Sequence, residues 1–429
     1  MNLVKNLTFL LIISLVAACG GGSSGEGEVL PRNATAEEKW QADVTYMVER
    51  MTNVHPSILH SASESEFGNA TQALVDDIGA LPPSTRLVRI LELFALPATQ
   101  RDGHMSVSYY AGTDSQILPL KFYQFEGGVY LIDALSENTP FIGAKLIDIE
   151  GLNLDEVNER LDPLLPRDNQ QSLETARVNA YLNPFILHGL GISNTPTMVT
   201  FTMETSNGQR ADMQVLAVSP INFPLNEVPN NKLPKNSMMN YIRPGGDLWV
   251  DFYEQRNTIH IKLNTITDSS QNVSLGDIAS TTEQLLSASP SAKVILDLRQ
   301  NGGGNNQLVP KIIDFLQSAA INIEGKLHVF TDRQTFSAAG NLVAEIDHRT
   351  LASFWGVSPG GSGTQYGDSR EFRMPNSGML FNIPTRFWQF GDPSKQPLSQ
   401  PMDYWVDQTI DDYLANVDTL LMFFFNEID

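Results

Sequence analysis

The chain lacks the residues that several kinds of chemistry need. Of its 429 residues only one, Cys19, is a cysteine. This excludes disulfide scaffolds, thiolate metal sites and a cysteine nucleophile within the folded part. Basic residues are also scarce, 28 Lys and Arg against 49 Asp and Glu, for a formal net charge of −21. A surface this acidic repels phosphate backbones, and no Lys/Arg cluster offsets it, so nucleic acid is excluded as a partner. The sequence has no H-E-x-x-H, no Cys pairs and no calcium loop, so it carries no metal signature and implies no cofactor. What remains is ordinary globular composition, 41% hydrophobic and 18% charged. At about 150 residues per domain, the length suggests about three units.

The apolar run from Leu7 through Val16, after Lys5, is too short to span a membrane and reads as a secretory signal over residues 1–18. Val16-Ala17-Ala18-Cys19 resembles a bacterial lipoprotein box, which implies lipidation of Cys19. A Gly/Ser tether occupies residues 19–33 and cannot pack a core. These features place the folded part in the bacterial cell envelope, lipid-anchored. Gly20 lacks the retention Asp of the inner membrane, so the outer membrane and its lipid are the expected anchor.

Residues 34–112 read as helical. Thr35 and Glu38 form a capping-box pattern, and Trp40, Val44, Met47, Val48 and Met51 make one apolar stripe. Residues 113–225 read as β-rich, with hairpin signals at Gly127-Gly128 and Ser206-Asn207-Gly208. The stretch around Gly143–Val157 resembles a PDZ-like strand-turn-helix. From residue 226 to 429 the pattern becomes α/β. Lys293–Leu298 and Lys326–Thr331 read as strands buried on both faces, each followed by a helix, which implies parallel pairing.

Two loops in this last section could carry chemistry. Asn301-Gly302-Gly303-Gly304 follows a buried strand, and its glycines free backbone N–H groups to converge on an anion. A tight turn would use the same residues. Thr335-Phe336-Ser337-Ala338-Ala339-Gly340 joins a strand to a helix and would expose Ser337 at the helix N-terminus, although G-x-S-x-G is absent. A plain N-cap is the competing role for this serine.

Together, "VILDLRQNGGGNN", "LHVFTDRQTFSAAGNLVAEI" and "GVSPGGSGTQYGD" resemble the tail-specific (C-terminal processing) protease family, relatives of the tricorn core protease. The resemblance extends over most of the chain. It implies a crotonase-like ββα core, Ser337 as nucleophile, and an oxyanion hole built from the N–H groups of Ala338 with Gly302 or Gly303. Many members pair Ser with Lys, but no lysine lies between Ser337 and Lys395 here. The Ser/His branch is therefore the nearer one, with His104 of Asp102-Gly103-His104 as its base. Histidine suits that task because its ordinary pKa of about 6.5 lies near working pH. His55 and His60 are rivals. Asp392 leads Asp368 and Ser106 as the group that orients the imidazole. Val357 stands where some relatives carry Glu, and Met402-Asp403 where the family has Pro-Asp. The expected function is a serine-type peptidase acting on peptides or protein C-termini. A binder of the same fold that has lost turnover is the alternative.

Overall fold

The computed structural model describes residues 27–108, 116–219, 248–270 and 272–428. Cys19 and the signal segment lie outside them. The chain is a mixed α/β structure with several sheets. None of its helices, among the described residues, is long and apolar enough to cross a membrane.

The N-terminal section forms helices Ala36–Val54, Glu64–Asp77 and Pro83–Ala95. Thr35 and Ser63 each close a capping box, with Glu38 and Glu66 respectively. In the first helix Val44, Met47 and Met51 are fully buried, and Trp40 and Val48 pack beside them.

The middle section is an antiparallel sheet in the order Leu120–Phe125, Gly128–Ala134, Lys145–Ile149, Met198–Glu204, Arg210–Leu216, with Leu152–Asn153 paired to its third strand. Contrary to the β-rich expectation, residues 170–189 are largely helical. Asn169 caps Gln170–Ala180, and Asn183 followed by Pro184 starts Pro184–Gly189. The N-terminal helices and this sheet share one apolar core, which also takes in Phe372, Met374, Phe381 and Ile383 from far along the chain. Those last residues arrive because Leu380–Ile383 pairs with Ser106–Ser108 on one side and Arg370–Arg373 on the other.

The C-terminal section is built on a six-stranded sheet, ordered Tyr404–Trp405, Ser353–Gly356, Leu327–Thr331, Lys293–Asp297, Thr258–Leu263, Leu248–Tyr253. All neighbours are parallel except the last pair. Thr258–Leu263 and Leu327–Thr331 are buried along their whole length. Helices Leu275–Ala288, Val309–Leu316 and Ala338–Arg349 cover one face. Helix Thr419–Ile428 covers the other through Leu420, Leu421, Phe424 and Phe425. Ligand-bearing loops in such a sheet gather at the carboxyl ends of the parallel strands, and here those ends lead to the glycine loop and to Ser337.

Candidate active site

Ser337 joins strand Leu327–Thr331 to helix Ala338–Arg349 with φ 53° and ψ −126°. A non-glycine residue in this region is strained by about 1–3 kcal/mol, which persists only where the surroundings enforce it. The enforcement is visible. Asp332 accepts hydrogen bonds from the Gln300, Gln334 and Thr335 N–H groups. Phe336 N–H donates to the Asn301 carbonyl at 2.9 Å, and Thr335 Oγ1 donates to the Leu298 carbonyl at 2.8 Å. Asn301 in turn reaches the Leu263 carbonyl at 2.8 Å. The glycine loop and the serine loop are thus laced into one unit. Ser337 does not cap its helix. Its Oγ lies 2.9 Å from His104 Nε2 instead.

A Cβ on Gly303 would come within 2.6 Å of Ser337 Cβ, so the glycine loop presses directly on the nucleophile position. The Gly303 N–H, however, is committed to Asn301 Oδ1 at 2.9 Å. Among the described residues the N–H groups of Gly302 and Ala338 make no hydrogen bond, so both are open to an acceptor. Gly361 packs on the other side of the serine, where a Cβ would meet Ser337 N at 2.8 Å. No side chain fits at this position.

Beneath the glycine loop lies a buried charge network. Lys262 Nζ donates to Asp297 and to the Arg299 carbonyl. Arg299 pairs with Asp297 at 2.6 Å and Asp418 at 2.7 Å. Burial alone would raise the Asp297 carboxyl, but Arg299 and Lys262 hold it well below the ordinary carboxylate value. Such a network fixes where the strand ends and the loop begins. His260 joins it through Asp297 at 3.1 Å, a structural role as its strand position implies.

His104 comes from the loop before Ser106–Ser108, and its ring stacks on Phe336 with centroids 4.7 Å apart. Burial of the imidazole pushes its pKa down to about 4, against the opposing pull of Asp102, Asp368 and the Tyr366 carbonyl. At neutral pH it is therefore uncharged and able to accept a proton. Nδ1 is buried and makes no well-formed hydrogen bond.

The structure does not bring Asp392 to this imidazole. Its carboxylate accepts from Ser394 N–H at 2.9 Å and Ser394 Oγ at 2.7 Å, because an Asp before Pro-Ser closes its own turn. Asp368 acts on His104 through its charge only. Ser106 Oγ accepts from Asn382 Nδ2 at 3.1 Å. His55 and His60 face Asp102 rather than Ser337. Val357, in the Glu position of some relatives, is buried, and its carbonyl accepts from Thr331 Oγ1 at 2.7 Å.

Two positioning residues carry no sequence signal. Asp168, fully buried, accepts from Gly103 N–H at 2.7 Å and Ser362 N–H at 3.0 Å, tying the histidine loop to the loop behind Ser337. Burial raises its pKa to about 7 even though both N–H groups favour the ionised form. Gln365 Nε2 donates to the Ser337 carbonyl at 3.0 Å and to Asn341 Oδ1 at 2.8 Å.

A cleft of about 460 Å³ ends at Gly103 and Phe336, each one residue from the Ser–His pair. The edge strand Leu120–Phe125 and helix Gln170–Ala180 form its walls, through Tyr123, Gln124, Ala176 and Asn179. A second cleft of about 520 Å³ shares Lys121, Ala176 and Asn179 with it and runs on under the N-terminal helices.

Among solved structures, mature CPAF complexed with lactacystin aligns with 91% of this chain and 97% of its own, at 12% identity and TM-score 0.58. The shared property is the fold. A serine-to-alanine mutant of CPAF aligns with 91% of this chain and 96% of its own, at 10% identity and TM-score 0.60. The photosystem II D1 C-terminal processing protease aligns with 87% of this chain and 94% of its own, at 11% identity and TM-score 0.38. No protein-family description and no curated protein matches the sequence.

Proposed function

We propose that the protein is a serine-type peptidase of the tail-specific family, with a crotonase-like catalytic core over residues 226–429 and a PDZ-like middle module. The observation that carries this reading is the 2.9 Å contact between His104 Nε2 and Ser337 Oγ, made at a strained elbow. His104 takes the hydroxyl proton as Ser337 Oγ attacks the substrate carbonyl, and the Gly302 and Ala338 N–H groups receive the oxyanion. His104 then gives the proton to the leaving amine. Water, activated by the same imidazole, releases the acyl group and restores the serine.

The substrate class is a peptide or a protein C-terminus, laid in the cleft along Leu120–Phe125. That strand is an edge of its sheet, so its outer backbone groups can pair with an extended chain. Lipidation at Cys19 would hold the enzyme on the outer membrane.

The test is hydrolysis of a set of unstructured peptides by the full-length protein. Cleavage that Ser337→Ala abolishes supports the peptidase. Peptide binding without cleavage, in a well-folded protein, would instead support a binder that keeps the fold.

A further inference from the structure

We propose that His55, His60 and Asp102 form a binding site for one divalent transition metal of the zinc class, which clamps the N-terminal helices to the loop that carries His104. His55 and His60 lie in the turns after helix Ala36–Val54, and Asp102 stands two residues before His104. The fold brings one ligand atom from each within 4.8 Å of the others.

Asp102 is wholly buried, and neither of its carboxylate oxygens has a hydrogen-bond partner. His55 Nε2 is also buried and unpartnered, although it lies only 3.2 Å from Asp102 Oδ2. The two atoms are close but not aligned on each other, as ligands turned toward a common ion are. A buried carboxylate whose near imidazoles are not aligned to donate to it is disfavoured unless a cation answers it. A second buried carboxylate, Asp168, lies near enough to feel the charge of Asp102. The neighbouring Arg101 spends its guanidinium on the Thr364 and Gln396 carbonyls.

The distances suit a small metal ion. Bonds of 2.0–2.2 Å in a tetrahedral site separate ligands by about 3.3–3.6 Å. The observed separations are 3.2 Å for His55 Nε2–Asp102 Oδ2 and 3.9 Å for His60 Nε2–Asp102 Oδ2. His60 Nδ1 can donate to the Ser57 carbonyl at 3.0 Å, which leaves Nε2 without a proton, and the Gln100 carbonyl 3.0 Å from Nε2 is then placed to be a fourth ligand. Two imidazoles with one carboxylate select zinc and its first-row neighbours over calcium or magnesium, which take oxygen sets. The Tyr366 ring packs against both histidines, at 4.4 and 4.5 Å between centroids, and fixes their planes.

One local adjustment is required. Ser57 N–H donates to His55 Nδ1 at 3.1 Å, which puts the ring proton on Nε2. Coordination through Nε2 moves that proton to Nδ1, so the Ser57 peptide must turn away. Ser57 is exposed, which leaves it room.

The test is calorimetric titration of the chelator-treated, full-length protein with Zn²⁺, alongside visible absorption with Co²⁺. The expected result is one ion per chain and Co²⁺ d–d bands of a four- or five-coordinate N/O site. Losing even an outer-shell partner commonly costs 10–100-fold in affinity, so His60→Gln is expected to cost at least about 100-fold. His60 keeps 13% of its side chain exposed, so this variant disturbs the fold less than Asp102→Ala, whose side chain is wholly buried. No binding by a well-folded unaltered protein, or equal binding by His60→Gln, overturns the proposal. Neither readout depends on peptidase activity.

Discussion

The loops around Ser337 and the loop around His104 are built in opposite ways. On the serine side the polar groups are spent on one another: Asp332, Asn301 and Thr335 stitch two loops that follow adjacent parallel strands. On the histidine side His104 Nδ1, both Asp102 oxygens and His55 Nε2 are buried without a well-formed hydrogen bond. Ser337 is held by its own sheet. His104 depends on residues 55–60, 168 and 366–369 arriving from elsewhere. The difference teaches that the serine half should tolerate perturbation of the N-terminal section, whereas the base should not.

The largest expected effect comes from removing either reacting group. Ser337→Ala and His104→Ala are each expected to lower kcat by about 10⁴–10⁶, and the double variant no further, since the two act as a unit. Single-turnover peptide hydrolysis measures this. Additive losses would show that the contact is not a working pair.

Next comes Gly303→Ala. Its Cβ would lie 2.6 Å from Ser337 Cβ at a φ of 111°, so the glycine loop must retreat. A displaced oxyanion donor costs about 10²–10³ in kcat. An unchanged kcat would break the serine side of the comparison.

Asp168→Asn puts an amide group against either the Gly103 or the Ser362 N–H. A small misplacement of His104 follows, worth roughly 10–10² in kcat with KM little changed. Equal loss in kcat and stability alone, with normal kcat in the folded fraction, would make Asp168 merely structural.

The pH profile sharpens the same point. His104 works in its neutral form, which its pKa of about 4 makes dominant at all higher pH. The acid limb of kcat/KM is therefore expected well below the ordinary histidine value of about 6.5. A limb at that ordinary value that persists in Asp168→Asn, where the carboxyl of pKa about 7 is gone, would mean an imidazole far more solvated than this one.

The smallest effect belongs to Asp392→Ala. With its carboxylate turned to Ser394, kcat should stay within about twofold, the range of ordinary surface changes. A loss of 10² or more would restore Asp392 to the site.

Much of this arrangement is legible in the sequence, for local reasons. The doubly buried strands ending at Asp297 and Thr331 are continuous apolar runs, and the glycine and serine loops follow them directly. The capping boxes at Thr35 and Ser63 are likewise written in residues three apart. What is not legible is held by distance. Asp168 acts across 65 positions to Gly103 and 194 to Ser362, with nothing in its own neighbourhood to mark it. Helix Gln170–Ala180 is hard to see in the sequence because its apolar stripe is weak and its capping box pairs Asn169 with Ser172 rather than with an acidic residue. Nothing local in the sequence separates Asp392 from Asp368 and Ser106 as the orienting group, and in the fold its carboxylate is taken by the Ser394 backbone and hydroxyl.

The most direct test of the Ser–His pair is labelling of the full-length protein with a fluorophosphonate, the adduct located by mass spectrometry. The account predicts a single adduct on Ser337, lost in His104→Ala. A well-folded protein that takes no label, or takes it on another serine, would contradict it.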